Sequence, residues 1–177
     1  MKLPLFRTLN RKVKLFNLDW NDNIYLHDLT KKFPWADSSV DMVYSSHTLE
    51  HFSKDDGQSF LAECYRVLRK NGIIRIVVPD LRHDVIEYIK GRICADDFVE
   101  RLGVLYFNRK NKLKRLLSPF YSFPHKCMYD YSRLIEILSK IGFQSSPRAA
   151  FDSDMEEIRL IELKSRTENA VIVEGRK

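Results

Sequence analysis

Residues 37–51, DSSVDMVYSSHTLEH, decide how this chain folds. Asp37, Ser38 and Ser39 are turn formers, and Asp41, Met42, Val43 and Tyr44 after them are strand-type residues. A polar cluster, Ser45, Ser46, His47, Glu50 and His51, crowds just past the carboxyl end of that strand. In an open α/β sheet, that end is where ligands bind. Two chemistries fit the cluster: the rim of a nucleotide-type pocket, or a zinc site, because His47-x-x-Glu50-His51 has the spacing H-x-x-E-H.

Downstream, Lys54, Asp55, Asp56 and Gly57 lead into a helix. Phe60, Leu61, Cys64, Val67 and Leu68 recur at helical spacing with Glu63, Arg66 and Arg69 opposite. Asn71-Gly72 is expected to close it, with the glycine in the left-handed capping conformation. Residues 73–78 are a nearly continuous β-branched run, the composition of a strand covered on both faces, and Pro79-Asp80 stops it. Strand, helix and buried strand in succession make a βαβ unit.

Upstream, residues 13–20 alternate loosely, with Val13, Leu15, Phe16 and Leu18 apolar, and predict a strand ending on Asp19. Ile24, Tyr25 and Leu26 predict a second short strand that ends in His27-Asp28. Phe33-Pro34-Trp35 is an apolar knuckle whose proline disfavours helix. Residues 1–12, with Leu3, Leu5, Phe6 and Leu9 among basic residues, read as an N-terminal arm or as the start of a shortened domain.

After the buried strand, Leu81, Val85, Ile86 and Ile89 predict a covering helix broken near Gly91, and Phe98, Leu102, Leu105 and Tyr106 continue a helical stripe. Arg109, Lys110, Lys112, Lys114 and Arg115 interleave with Leu113, Leu116 and Leu117 as an amphipathic segment whose basic face is either solvated or turned to an anionic surface. Residues 118–129, rich in aromatics and proline, predict an irregular loop of the kind that covers sites. Residues 131–141 predict an amphipathic helix with Leu134, Ile135, Leu138 and Ile141 inward, closed by Gly142. Strand-like pieces follow at 148–151 and 170–174.

A length of 177 residues with 44% hydrophobic residues supports one domain with a real core. The net charge of +6 is spread over 31% charged residues of both signs, a general electrostatic surface, so no nucleic-acid partner is expected. Cys64, Cys94 and Cys127 are odd in number and contain no C-x-x-C, which argues against a disulfide framework and for reduced thiols. No apolar run reaches the length of about 18 residues that a membrane span requires, and a cytoplasmic location is expected.

Three segments taken in order, DLTKKFPWADSSVDMVYSSHTLEH, FLAECYRVLRKNGIIRIVVPDL and HKCMYDYSRLIEILSKIGF, resemble the class I S-adenosylmethionine-dependent methyltransferases, in particular the small type 11 group. The resemblance runs from about Asp19 to the C-terminus. It implies an α/β fold over a single domain, residues 1–177: a Rossmann-like, doubly wound, mostly parallel sheet with an antiparallel last strand, N-terminally shortened. It implies S-adenosylmethionine as the cofactor. Asp19 would hold the ribose hydroxyls, Asp28 would accept from the adenine amino group, and the N–H of Leu29 would face a ring nitrogen. Ser45, Ser46 and His47 would line the methionine end, and Phe33 and Trp35 would flank the adenine.

One departure stands out. The family's first strand leads into a glycine-rich loop whose missing Cβ atoms let the backbone approach the cofactor, whereas here no glycine precedes Gly57. Two expectations follow: the sequence begins downstream of the true start, or the chain is a degenerate relative that acts by binding a partner. For a working enzyme, the candidate bases are His47, His51 and His125, Tyr129 would shape the acceptor pocket, and the acceptor is expected to be a small molecule or glycan. The zinc reading, a metallopeptidase through His47-x-x-Glu50-His51, needs that motif inside a helix and a third ligand from elsewhere, but a strand run precedes it, so no metal is expected.

Overall fold

Ser38 takes a left-handed φ of 53°, and the amides of Ser38 and Ser39 donate to the carbonyls of Arg66 and Val67, which aims the chain into strand β1 (Val40–Ser46). The computed structural model describes residues 25–104 and 123–177. Within them, helix α1 (Lys54–Val67) begins where the Ser53 hydroxyl accepts from the Asp56 amide at 3.2 Å, with Asp55 and Asp56 set against the positive end of the helix dipole. Phe60, Leu61, Cys64 and Val67 form its buried face.

The helix stops at Val67, earlier than its apolar spacing suggested, because Leu68 already pairs with Val40 as the first residue of strand β2 (Leu68–Pro79). The next pair is Met42 with Ile73, so residues 69–72 bulge out of the ladder. Asn71, at φ 66°, takes the left-handed position expected of Gly72. Gly72 is needed for space: a Cβ there would lie 2.8 Å from the Arg69 carbonyl oxygen.

Helix α2 (Leu81–Ile89) is capped by Asp80, whose carboxylate accepts from the Arg82 amide, and is followed by Gly91 at φ 67° and helix α3 (Ala95–Arg101). Helix α4 (Tyr131–Ile141), capped by Asp130, ends on Gly142 at φ 121°. Strand β3 (Gln144–Pro147), short helices α5 (Ile158–Ile161) and α6 (Lys164–Thr167), and strand β4 (Ala170–Arg176) complete the described chain.

The strand order is β1-β2-β4-β3. β1 and β2 are parallel, and β4 runs antiparallel to both β2 and β3. Three strands therefore share one direction, and the last one in sequence is inserted against it. This is the expected Rossmann-like α/β arrangement. On one face, Ile74, Ile76 and Val78 of β2 pack with Phe60, Leu61 and Cys64 of α1 and Leu134 and Leu138 of α4; each such fully buried side chain contributes roughly 1.5–3 kcal/mol. On the other, Ile73 packs with Met155 and Ile158.

Three expectations change, and three others fall outside the described residues. Tyr25 and Leu26 form no strand and are each 55% exposed. The acid after them serves a turn, since Asp28 accepts from the amide and hydroxyl of Thr30. The piece expected at 148–151 is shifted to β3, because the carbonyls of Ala149 and Asp152 turn inward to a buried arginine and Phe151 takes φ 61°. Ser45 and Ser46 are the last two residues of β1 and do not follow it. The strand expected at 13–20 with Asp19, the arm at 1–12, and the basic residues Arg109, Lys110, Lys112, Lys114 and Arg115 lie outside the described residues. Among those described, no helix is long and apolar enough to cross a membrane.

Two arginines organise this frame. Arg75, in the middle of β2, is fully buried and uses every N–H it has. Nε and Nη2 donate to the two carboxylate oxygens of Glu162 at 2.9 and 3.0 Å, Nη1 donates to Glu174 Oε1 and the Asp152 carbonyl, and Nη2 also donates to the Ala149 carbonyl. Arg66 does the same at the surface. It donates to both oxygens of Glu63, to the carbonyls of Phe33 and Trp35 and to Asp37, while Glu63 also accepts from the Phe33 amide at 2.7 Å. The stretch from Phe33 to Asp37 is thereby tied to α1.

Arg75→Ala leaves the buried Glu162 carboxylate without its cation and Glu174 with only Arg148, 3.3 Å away, and is expected to cost about 3–5 kcal/mol in a urea melt. The triple change Arg75→Met, Glu162→Leu, Glu174→Leu should recover most of that; equal losses in both proteins would refute the charge argument. The bond from Arg66, ahead of the opposing effect of burial, holds the Glu63 carboxyl down at about 2 against an ordinary 4.5. A depressed carboxyl stabilises fully above its unfolded pKa and loses that contribution as pH falls from 4.5 toward 2. Glu63→Gln should therefore melt at a lower temperature than the unaltered protein at pH 6, with the gap closing across that window.

Candidate functional site

β1 ends abruptly. His47 sits at φ 50°, its amide still bonded to the Val77 carbonyl at 2.9 Å, and the chain swings out of the sheet into a single 3₁₀ turn, Leu49–His51. That turn separates two groups of polar side chains.

The first group faces a cleft of about 660 Å³ along β1. Leu29, Phe33 and Trp35 line one side, and Ser45, Ser46 and Thr48 line the strand end. Phe33 is itself core, packed edge-on against Trp35 and Phe60 with ring centroids 5.7 and 6.0 Å apart. Most of the wall is apolar, and its volume falls in the usual range for small-ligand sites. The hydroxyl of Ser45 is buried there with no partner among the described residues. Ser46 Oγ lies 3.2 Å from His47 Nδ1. Burial, reinforced by the charges of Arg166, His125 and His51, pulls the His47 ring down to about 4, so it is neutral near pH 7.

The structure therefore gathers Leu29, Ser45 and Ser46 into one cleft, with His47 bonded at its edge. Asp28 is on the exposed turn next to Leu29, its carboxyl held below the usual range first by the Thr30 hydroxyl. Asp19 lies outside the described residues.

The second group lies beyond the turn. Glu50 is 0% exposed, and neither carboxylate oxygen has a hydrogen-bond partner among the described residues. Burial pushes its carboxyl up to about 7. The irregular segment before α4 is tied to it, because the amides of Lys126 and Cys127 both donate to the Glu50 carbonyl, and the His125 amide donates to that of Gly103. His51 and His125 thus meet with ring centroids 5.0 Å apart. His47, the first residue of the zinc spacing, is not part of that group; His125 occupies the third place. Tyr129, expected at an acceptor pocket, is 6% exposed and packs against the position of Gly57 in α1. Sequence reading placed Glu50 in a motif but missed that its carboxylate would be sealed from water; the apolar Leu49 before it and the apolar β2 behind it were the available signal.

Residues 5–76 match the family model described as a methyltransferase domain. No curated protein matches the chain in sequence. Among solved structures, it is similar to a SAM-dependent methyltransferase from Archaeoglobus fulgidus, with 18% identity over 88% of this chain and 67% of that one and a TM-score of 0.49. It is also similar to the Burkholderia thailandensis 1,6-didemethyltoxoflavin-N1-methyltransferase, with 15% identity, 100% and 58% covered and a TM-score of 0.48. A SAM-dependent methyltransferase from Thermotoga maritima has 19% identity, 85% and 62% covered and a TM-score of 0.43. The chain spans less than two thirds of the length of the last two. In residues 5–76, and in a parallel sheet closed by one reversed final strand, it resembles the class I S-adenosylmethionine-dependent methyltransferases.

Proposed function

We propose that this chain is a single methyltransferase-like domain that takes part in S-adenosylmethionine-dependent methyl transfer to a small-molecule or glycan-type acceptor. One observation carries the reading: within the segment matching a methyltransferase domain, the carboxyl end of β1 opens into a largely apolar cleft that holds the Ser45 hydroxyl, which has no hydrogen-bond partner among the described residues. A buried hydroxyl free to donate or accept, beside aromatic walls, suits a ligand that is part apolar ring and part amino acid. When bound, the cofactor supplies a sulfonium methyl, an electrophile that needs positioning more than covalent help.

The chain's own residues do the positioning. Ser45 and Ser46 hold the polar end, Leu29 with Phe33 and Trp35 receives the ring end, and Asp28 on the adjoining turn accepts from an amino group. Arg66 keeps this wall closed against α1 through the carbonyls of Phe33 and Trp35. His47, neutral near pH 7, offers a ring lone pair for an acceptor proton. His51 and His125 stand farther along the same edge as alternative bases. The three cysteines are free thiols, which accords with a cytoplasmic setting.

A second reading is a non-catalytic relative that binds a partner. Calorimetric titration separates the two. With the enzyme reading, S-adenosylmethionine binds saturably with one site per chain, and Asp28→Ala weakens it about tenfold, or about 1.4 kcal/mol. No heat at millimolar ligand, or an Asp28→Ala protein that binds identically, would favour the partner-binding reading.

A further inference from the structure

Glu50, His51 and His125 have a use that methyl transfer does not require. Each offers one ligand atom that lies within 4.8 Å of those of the other two. Their chemistry is one-sided. A backbone carbonyl can only accept, so the contacts of His125 Nδ1 with the Leu102 carbonyl at 2.8 Å and of His51 Nδ1 with the Pro124 carbonyl at 3.4 Å put the ring proton on Nδ1 in both. Each Nε2 then carries a lone pair. The Glu50 carboxylate, with no exposed surface and no donor on either oxygen among the described residues, adds a third acceptor. Arg166, whose charge acts on Glu50, makes no ion pair with it among the described residues. Among the described residues, three acceptors therefore converge without a donor, which is the electrostatic description of a cation site.

The surrounding backbone holds the group in place. Lys126 and Cys127 clamp the loop to the Glu50 carbonyl, and the His125 amide is fixed by Gly103. Gly103 is at φ 65°, where a Cβ would come within 2.7 Å of His125 Nδ1, so the ring lies directly against a backbone that only glycine supplies easily. A carbonyl accepting from the far nitrogen of each imidazole is the usual arrangement behind metal-ligating histidines.

We propose that Glu50, His51 and His125 bind a divalent transition-metal ion of the zinc class. Two imidazoles and one carboxylate suit zinc, iron(II) or manganese(II) over calcium or magnesium, which favour all-oxygen sites. Metal–nitrogen distances of about 2.0–2.1 Å require the three side chains to close inward slightly from their present separation. Three protein ligands would leave a coordination position open. In this arrangement His51 and His125 spend their lone pairs on the metal, and His47 remains as the base.

The test uses the full chain, stripped with a chelator and dialysed, then titrated with Zn²⁺ by calorimetry and metal analysis. Co²⁺ serves as a visible-absorption probe. The expected result is one tightly bound equivalent per chain with Co²⁺ bands free of thiolate charge transfer. Glu50→Gln, which keeps the shape of the buried side chain, and His125→Ala should each weaken Zn²⁺ by at least about 100-fold. Gly103→Ala should weaken it by a smaller factor, and His47→Ala should leave it unchanged. Circular dichroism of each variant separates lost ligation from lost fold. Substoichiometric Zn²⁺ in the folded chain would overturn the proposal. Thiolate bands, or a loss on His47→Ala equal to that on His125→Ala, would also overturn the assignment. The readout is metal alone, so it stands whether or not S-adenosylmethionine binds.

Discussion

A guanidinium with no access to water sits at the centre of the sheet, and the rest of the back face is arranged to satisfy it. Arg75 stands opposite Tyr44 of β1 and Glu174 of β4, so one side chain senses both neighbours of β2. Its bidentate bond to Glu162 and its two bonds to carbonyls gather the chain between β3 and α6 against the sheet. A buried ion cluster of this kind adds little net stability over an apolar replacement, but a partial one is costly. Its effect here is to admit only one arrangement of the segment that crosses the back of β2.

The front edge is governed by a smaller constraint, the left-handed φ of His47. A β1 that continued straight would carry Glu50 along the sheet toward solvent. Ser45 and Ser46 line the cleft from the strand itself, and the turn at His47 carries Glu50 behind the strand end, where the loop of His125 closes over it. Two chemically different places, one apolar with single hydroxyls and one made only of acceptors, are thus built from consecutive residues.

Much of the architecture was legible because it rests on local rules. The βαβ core follows from an apolar period that switches from strand to helix to strand, and α4 from a clean stripe ended by Gly142. The end of α1 was misread because Leu68 suits either helix or strand, and its pairing with Val40, far away in sequence, decided the matter. The second upstream strand failed because Asp28 serves Thr30 in a turn. The role of Arg75 inside the apolar run was not legible, since its carboxylate partners are 87 and 99 residues away. At the site, Ser45, Ser46 and His47 could be placed from their position at a strand end. The union of Glu50 and His51 with His125 could not, because it depends on how a loop without periodicity folds back.

The distance between Arg75 and its partners also bears on how the chain is made. During synthesis, β1, α1 and β2 emerge well before residues 162–174, and domains tend to fold as their sequence becomes available. An early βαβ unit would enclose a bare guanidinium. Until Glu162 and β4 leave the ribosome, Arg75 therefore favours keeping that face open to water, so the apolar surface of β2 waits exposed for its last strand. Closing a loop of that length before the contacts repay it is slow. The order in which the chain emerges thus leaves one side chain, in the middle of its most buried strand, waiting longest for its partners.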